Sequence, residues 1–199
     1  MNKNKGRPGE DVCLIVHDFE PYPPLTKVVV ALQEKIKGSV STAHDPKLGN
    51  HVTIIPPFFA DKTLQFGILF GAKLKWSGFN SVGFDATVIN TISFFENGDC
   101  DYAYLPTTFP DDYNSQVTEL RTLVGEHGRW YYDPIKEKWV PHITISEGFE
   151  LKKKLPKELT EKAEKNKKTH VALPVEPPKL LRKIEGGWEV ITFESLRSQ

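Results

Sequence analysis

His51-Val52-Thr53-Ile54 and His142-Ile143-Thr144-Ile145 are two copies of one pattern, His-aliphatic-Thr-Ile. The chain has 6 His, 14 Thr and 12 Ile among 199 residues, for which random placement gives about 0.03 such matches. Two imidazoles and two hydroxyls suit a phosphodiester. One imidazole can take the proton of an attacking water or ribose hydroxyl, and the other can protonate the departing ribose oxygen. An unperturbed imidazole pKa of about 6.5 makes both protonation states accessible near neutrality. Thr hydroxyls can donate to the non-bridging oxygens, where charge gathers in the transition state. Nothing in this set calls for a metal or another cofactor.

Both copies lie in β-branched runs that favour strands. Side chains two apart on a strand point the same way. His51 and Thr53 therefore share one face, with Val52 and Ile54 on the other. In the second copy His142, Thr144 and Ser146 stand opposite Ile143 and Ile145. A lone H-x-T is most simply a solvated strand surface; two matched copies, each with an apolar back, favour a site.

At these residues the chain resembles the 2H phosphoesterase superfamily, which is defined by two H-x-(T/S)-x motifs. It is most similar to the bacterial 2′-5′ RNA ligase-like and cyclic phosphodiesterase branch, through His51-Val52-Thr53-Ile54-Ile55-Pro56-Pro57-Phe58 and Val140-Pro141-His142-Ile143-Thr144-Ile145. In element order the resemblance spans about Asp11 to Phe193. It implies an α+β fold of two antiparallel sheets related by a pseudo-two-fold, forming a concave cleft with helices outside. It also implies His51 and His142 as the catalytic pair and Thr53 and Thr144 as phosphate ligands. Some members carry an Arg after the second motif; Ser146-Glu147-Gly148 stands there instead.

Length fits one domain, or two intimate lobes, and the resemblance implies a flexible start, 1–10, and a single bilobal domain over 11–199. The chain is 39% hydrophobic and 26% charged, with a formal net charge of zero. Proteins that grip long nucleic acids usually carry a basic excess, so the expected partner is a small nucleotide, a short oligonucleotide or an RNA end. No feature points to a protein partner. Cys13 and Cys100 show no metal-ligand spacing and read as reduced thiols. Met1 to Glu10 is polar, unlike a signal peptide, and no stretch approaches the roughly 20 apolar residues of a membrane span. The expectation is a cytoplasmic protein.

Val12–Val16 reads as a buried strand, and Pro23-Pro24 opens a helix carrying Leu25, Val28, Val29, Leu32 and Ile36. Asp61–Trp76 reads as a second helix, with Leu64, Ile68, Leu69 and Ala72 on one side despite Gly67 and Gly71. From Phe79 the period becomes two, with a hairpin signal at Asn97-Gly98. Pro110-Asp111-Asp112 starts a helix with Val117, Leu120, Leu123 and Val124. The lysine-rich stretch 152–168 reads as a solvated helix from Pro156. Strands Leu180–Ile184 and Trp188–Phe193 close the chain through Glu185-Gly186-Gly187.

A nucleotide substrate calls for a stacking platform. Phe58, Phe59, Tyr102, Tyr104, Trp130 and Trp139 are candidates, and Ser146, Trp139, Tyr104 and Phe58 are carried as further cleft residues. For each alone, core packing is the better reading. His17, His127 and His170 read as structural or exposed, and His44 as a loop residue. With no H-E-x-x-H and no Cys/His cluster, no zinc is expected. With no G-x-x-x-x-G-K-[ST], an ATP-driven ligase is unsupported, so any RNA ligation would be reversed 2′-5′ cleavage. The expected activity is metal-independent hydrolysis of 2′,3′-cyclic phosphates or of 2′-5′ or 3′-5′ linkages. The alternatives are a non-catalytic nucleotide- or RNA-binding module and a reversible 2′-5′ RNA ligase.

Overall fold

The apolar back of each motif strand becomes a wall of the core. In the computed structural model the residues described are 5–18, 23–36, 51–76, 84–89, 92–97, 100–131, 140–148, 151–155, 168–173 and 177–197. The strands are β1 Asp11–Asp18, β2 His51–Ala60, β3 Phe84–Ile89, β4 Ser93–Asn97, β5 Cys100–Thr108, β6 Arg129–Trp130, β7 His142–Gly148, β8 Lys168–Leu173, β9 Lys179–Ile184 and β10 Gly187–Val190. The helices are α1 Pro23–Ile36, α2 Lys62–Trp76, α3 Asp111–His127, α4 Leu151–Lys154 and α5 Phe193–Arg197.

The α+β class holds. Where two sheets were expected, the described strands are hydrogen-bonded into one antiparallel sheet. Its path runs β10-β9-β1-β2-β7-β5-β3-β8, with β4 beside β5 and β6 beside β2. The two motif strands are neighbours at the middle of this path. Val52, Ile54, Ile55, Ile143 and Ile145 enter one core with Val29 and Ile36 of α1, Leu64, Ile68 and Ala72 of α2, and Val117, Leu120 and Val124 of α3. Asp61 starts α2 by accepting the Leu64 N–H at 2.8 Å, which satisfies an otherwise orphaned donor of the first turn. Asp111 and Asp112 place negative charge at the start of α3, where the helix dipole favours it.

Each motif strand carries one extra residue directly after its Thr. Against β1, Val16 is opposite Thr53 but Ile15 is opposite Ile55. Against β5, Tyr104 is opposite Thr144 but Ala103 is opposite Ser146. These are β-bulges, which break the alternation of faces and re-aim side chains. In β2 the bulge sends both Ile54 and Ile55 into the core, fully buried, while His51 and Thr53 keep the other face. Pro56 and Pro57 come next, without ladder donors, and the register against β1 shifts again there.

Two expectations need correcting. The last strand ends at Val190, short of Phe193, because Thr192 and Ser195 cap α5 reciprocally: the Ser195 N–H donates to Thr192 Oγ1 at 3.2 Å and the Thr192 N–H to Ser195 Oγ at 3.0 Å. The start of the chain is described from Lys5. Arg129 pairs with Glu10 and donates to the Lys5 carbonyl at 3.1 Å. Second, Lys168, expected to end the lysine-rich helix, instead opens β8, which runs to Leu173 along β3; that helix, from Pro156, lies otherwise outside the described residues. The hairpins fare as read: Asn97 is opposite Cys100, and Ile184 opposite Gly187 with Gly186 at φ 81°, a conformation glycine adopts without steric cost. Among the described residues, no helix is long and apolar enough to cross a membrane.

Candidate active site

The two motifs meet at one backbone pair, Thr53 of β2 with His142 of β7. Residues directly opposed on antiparallel strands project to the same side. The alternation within each motif then puts His51, Thr53, His142 and Thr144 on one face, backed by the core. The pair seen is Thr53–His142; the same register continued by two residues would bring His51 level with Thr144. On that spacing the two His Cα atoms are diagonal neighbours, about 7–8 Å apart.

His142 is 6% exposed. Its Nδ1 lies 2.8 Å from the Val140 carbonyl oxygen. A carbonyl only accepts, so Nδ1 carries the proton, and in the neutral ring Nε2 holds the lone pair. Burial pushes the His142 pKa down to about 4; the charge of His51 acts in the same direction, and the Val140 bond opposes both. His142 is therefore a neutral imidazole at pH 7. Tyr104 lies against the His142 ring, with centroids 5.1 Å apart and planes inclined at 60°. Burial raises the Tyr104 pKa, against the effect of a side-chain hydrogen bond with Ser93. His51 is half-buried at the start of β2, opposite Asp18 of β1, and Thr53 is 9% exposed.

The further candidates divide. Tyr104 joins the site. Ser146 does not: the bulge after Thr144 aligns it with Ala103, a core residue, and it is fully buried on that side. Phe58 also belongs to the core, edge-on to Trp130 at 6.4 Å; the shifts around Pro56 and Pro57 put it with Cys13. Trp139 and His44 lie outside the described residues. Phe59 packs on Tyr131 and under Arg129, and Tyr102 is half-buried. His17 pairs in register with Val52, hence points away from the site, buried and hydrogen-bonded to the Tyr113 hydroxyl at 3.1 Å. His127 is exposed beside Glu126, and His170 is in β8 opposite Thr87.

Two residues on the same face escaped the sequence reading. Val16, opposite Thr53, is also opposite Lys179 of β9, and Trp188 of β10 packs on a small cluster around Val16. Only the register between distant strands brings them to the motifs. Among the described residues, no group of three or more His, Cys, Asp or Glu is gathered as a metal ion would need. Cys13 is a free, buried thiol whose pKa burial pushes up to about 12. No protein-family model matches the chain, and neither does any of the curated proteins searched.

Proposed function

We propose that the chain is a 2H-type phosphoesterase that hydrolyses 2′,3′-cyclic phosphates or 2′-5′ or 3′-5′ linkages of RNA ends or small oligonucleotides. The observation that carries this reading is the Thr53–His142 pair, which gathers two imidazoles and two hydroxyls from motifs far apart in the chain. The matched bulges after Thr53 and Thr144 support reading the strand path as two halves, β10-β9-β1-β2 and β7-β5-β3-β8, related by a pseudo-two-fold. Each half then gives one His and one Thr to a shared cleft.

On this reading His142 is the base, because it rests neutral with Nε2 as its basic nitrogen. Nε2 takes a proton from the attacking water or ribose hydroxyl as that oxygen bonds to phosphorus. His51 delivers a proton to the ribose oxygen as its bond to phosphorus breaks. Thr53 and Thr144 donate to the non-bridging oxygens. Positioned proton transfer contributes typically 10²–10⁴-fold, so His51→Ala and His142→Ala are each expected to lose that much.

The deciding experiment is a panel of 2′,3′-cyclic nucleotides and of 2′-5′ and 3′-5′ oligoadenylates, assayed with chelator. Turnover by the wild type that both alanine variants lose supports the proposal. Binding without turnover would favour the non-catalytic module, and turnover retained in both variants would exclude the two-histidine mechanism.

A further inference from the structure

A second apolar cluster lies apart from the core, on the face that carries the motifs. Leu14, Val16 and Leu181 form it, with Trp188 half-buried against them. The strand registers locate it. Thr53 is opposite Val16 and Val16 opposite Lys179; Leu14 is opposite Leu181, and Trp188 opposite Lys183. Opposed pairs and alternate residues share a face, so one strip leads from Thr53 past Val16 to Lys179, and along the strands to Trp188.

The distances decide what the strip can bind. Lys179 is two strand spacings from Thr53, about 10 Å between backbones, and its flexible four-carbon stem covers part of that gap. Trp188 is three spacings away, about 14 Å, and four residues further along the strands, about 13 Å. A mononucleotide whose phosphate is held at Thr53 does not reach it. A longer strand laid along the strip would, with its next phosphate near Lys179 and a later base near Trp188. A cation followed by an aromatic platform is how proteins track single-stranded nucleic acid.

We propose that this strip is a subsite for the flanking nucleotides of an oligonucleotide, with Lys179 taking a neighbouring phosphate and Trp188 stacking a base. The inference rests on the phosphoesterase reading and narrows it: the preferred substrate is an oligonucleotide and not a single cyclic nucleotide.

Two substrates with the same scissile group test it, a trinucleotide ending in a 2′,3′-cyclic phosphate and the corresponding mononucleotide. Wild type is expected to favour the trinucleotide in kcat/KM. Lys179→Gln and Trp188→Ala should each raise KM for the trinucleotide about tenfold with kcat held, and leave the mononucleotide unchanged. Trp188→Phe, which keeps a ring, should restore most of the affinity. Lys179→Gln is chosen because it does not disturb the apolar cluster if Trp188→Ala unfolds the chain. Equal effects on both substrates, or none on either, would overturn the subsite. If wild type cleaves neither, the phosphoesterase reading fails, and tryptophan fluorescence titrated with the trinucleotide still decides the subsite. Quenching that Trp188→Phe removes supports it; its absence overturns it.

Discussion

Thr53 and His142 face each other as paired residues across the seam between β2 and β7, so the hydroxyl of one motif stands beside the imidazole of the other. On the phosphoesterase proposal, removing a hydroxyl from this arrangement should cost transition-state stabilisation without disturbing the sheet, since Val replaces Thr in shape and suits a strand. Thr53→Val and Thr144→Val are each expected to lower kcat by about 10²-fold, the order seen when one donor to a developing oxyanion is removed. Thr→Ser at the same positions should recover most of it. Near-wild-type kcat in both Val variants would remove the hydroxyls from the chemistry.

His142 links the site to stability. Its folded pKa, about 4, lies below the ordinary 6.5. Above pH 6.5 the ring is neutral in both states and has no effect. As pH falls from 6.5 to 4 the unfolded chain takes up a proton that the folded one refuses, so stability is lost through this window, by about 3 kcal/mol at most. His142→Gln should flatten that part of the dependence, read as urea midpoints at pH 7 and pH 4.5. If His142 is the base of the proposed reaction, the same shift puts the acid limb of kcat/KM near pH 4. A limb near 6.5 would mean that His142 is not the base.

Tyr104 packs its ring on that of His142 at 5.1 Å and restricts the directions in which Nε2 can point. It acts through His142, so Tyr104→Phe, which keeps the ring, is expected to retain most of the activity. Tyr104→Ala should lower kcat about tenfold and raise the acid limb, because water reaches the buried imidazole and the desolvation that depresses its pKa is relieved. If Tyr104→Ala changes KM alone, the residue contacts substrate and does not position the ring.

The elements, the two motif strands among them, were legible because their signals are local. The alternation in His51–Ile54 and His142–Ile145, the helical spacing of Leu64, Ile68 and Ala72, and the Glu185-Gly186-Gly187 turn each need only neighbouring residues to be read. What escaped depends on register. A one-residue bulge turned Ser146 from the His142 face into the core, and strict period two cannot foresee it. Phe58 was misplaced for the same reason beyond Pro56-Pro57. Lys179 and Trp188 reach the motif face only through β1, a pairing between segments more than 150 positions apart. The strand expected over Trp188–Phe193 gives way at Thr192, where Thr192 and Ser195 offer the backbone a cap in place of the ladder.

Glycines on and near α2 give two predictions of opposite sign. A Cβ at Gly67 or Gly71 meets nothing within 4 Å, and both sit inside the helix with ordinary helical neighbours. Ala there restricts the unfolded chain and gains helix propensity, so each substitution is expected to stabilise by about 0.4–1 kcal/mol. Gly128 is different. It comes directly after α3, and a Cβ there would lie 2.9 Å from Leu64 Cδ2, 2.9 Å from the Val124 carbonyl oxygen and 3.0 Å from the Phe59 carbonyl oxygen. Two of those three atoms are backbone and cannot rotate away, so Gly128→Ala must part α3 from the end of β2. It should destabilise by about 1–3 kcal/mol, the usual cost of overpacking. Thermal midpoints of the three variants check this. Stabilisation by Gly128→Ala would mean that the contact between the end of α3, Leu64 and Phe59 is looser than the structure places it.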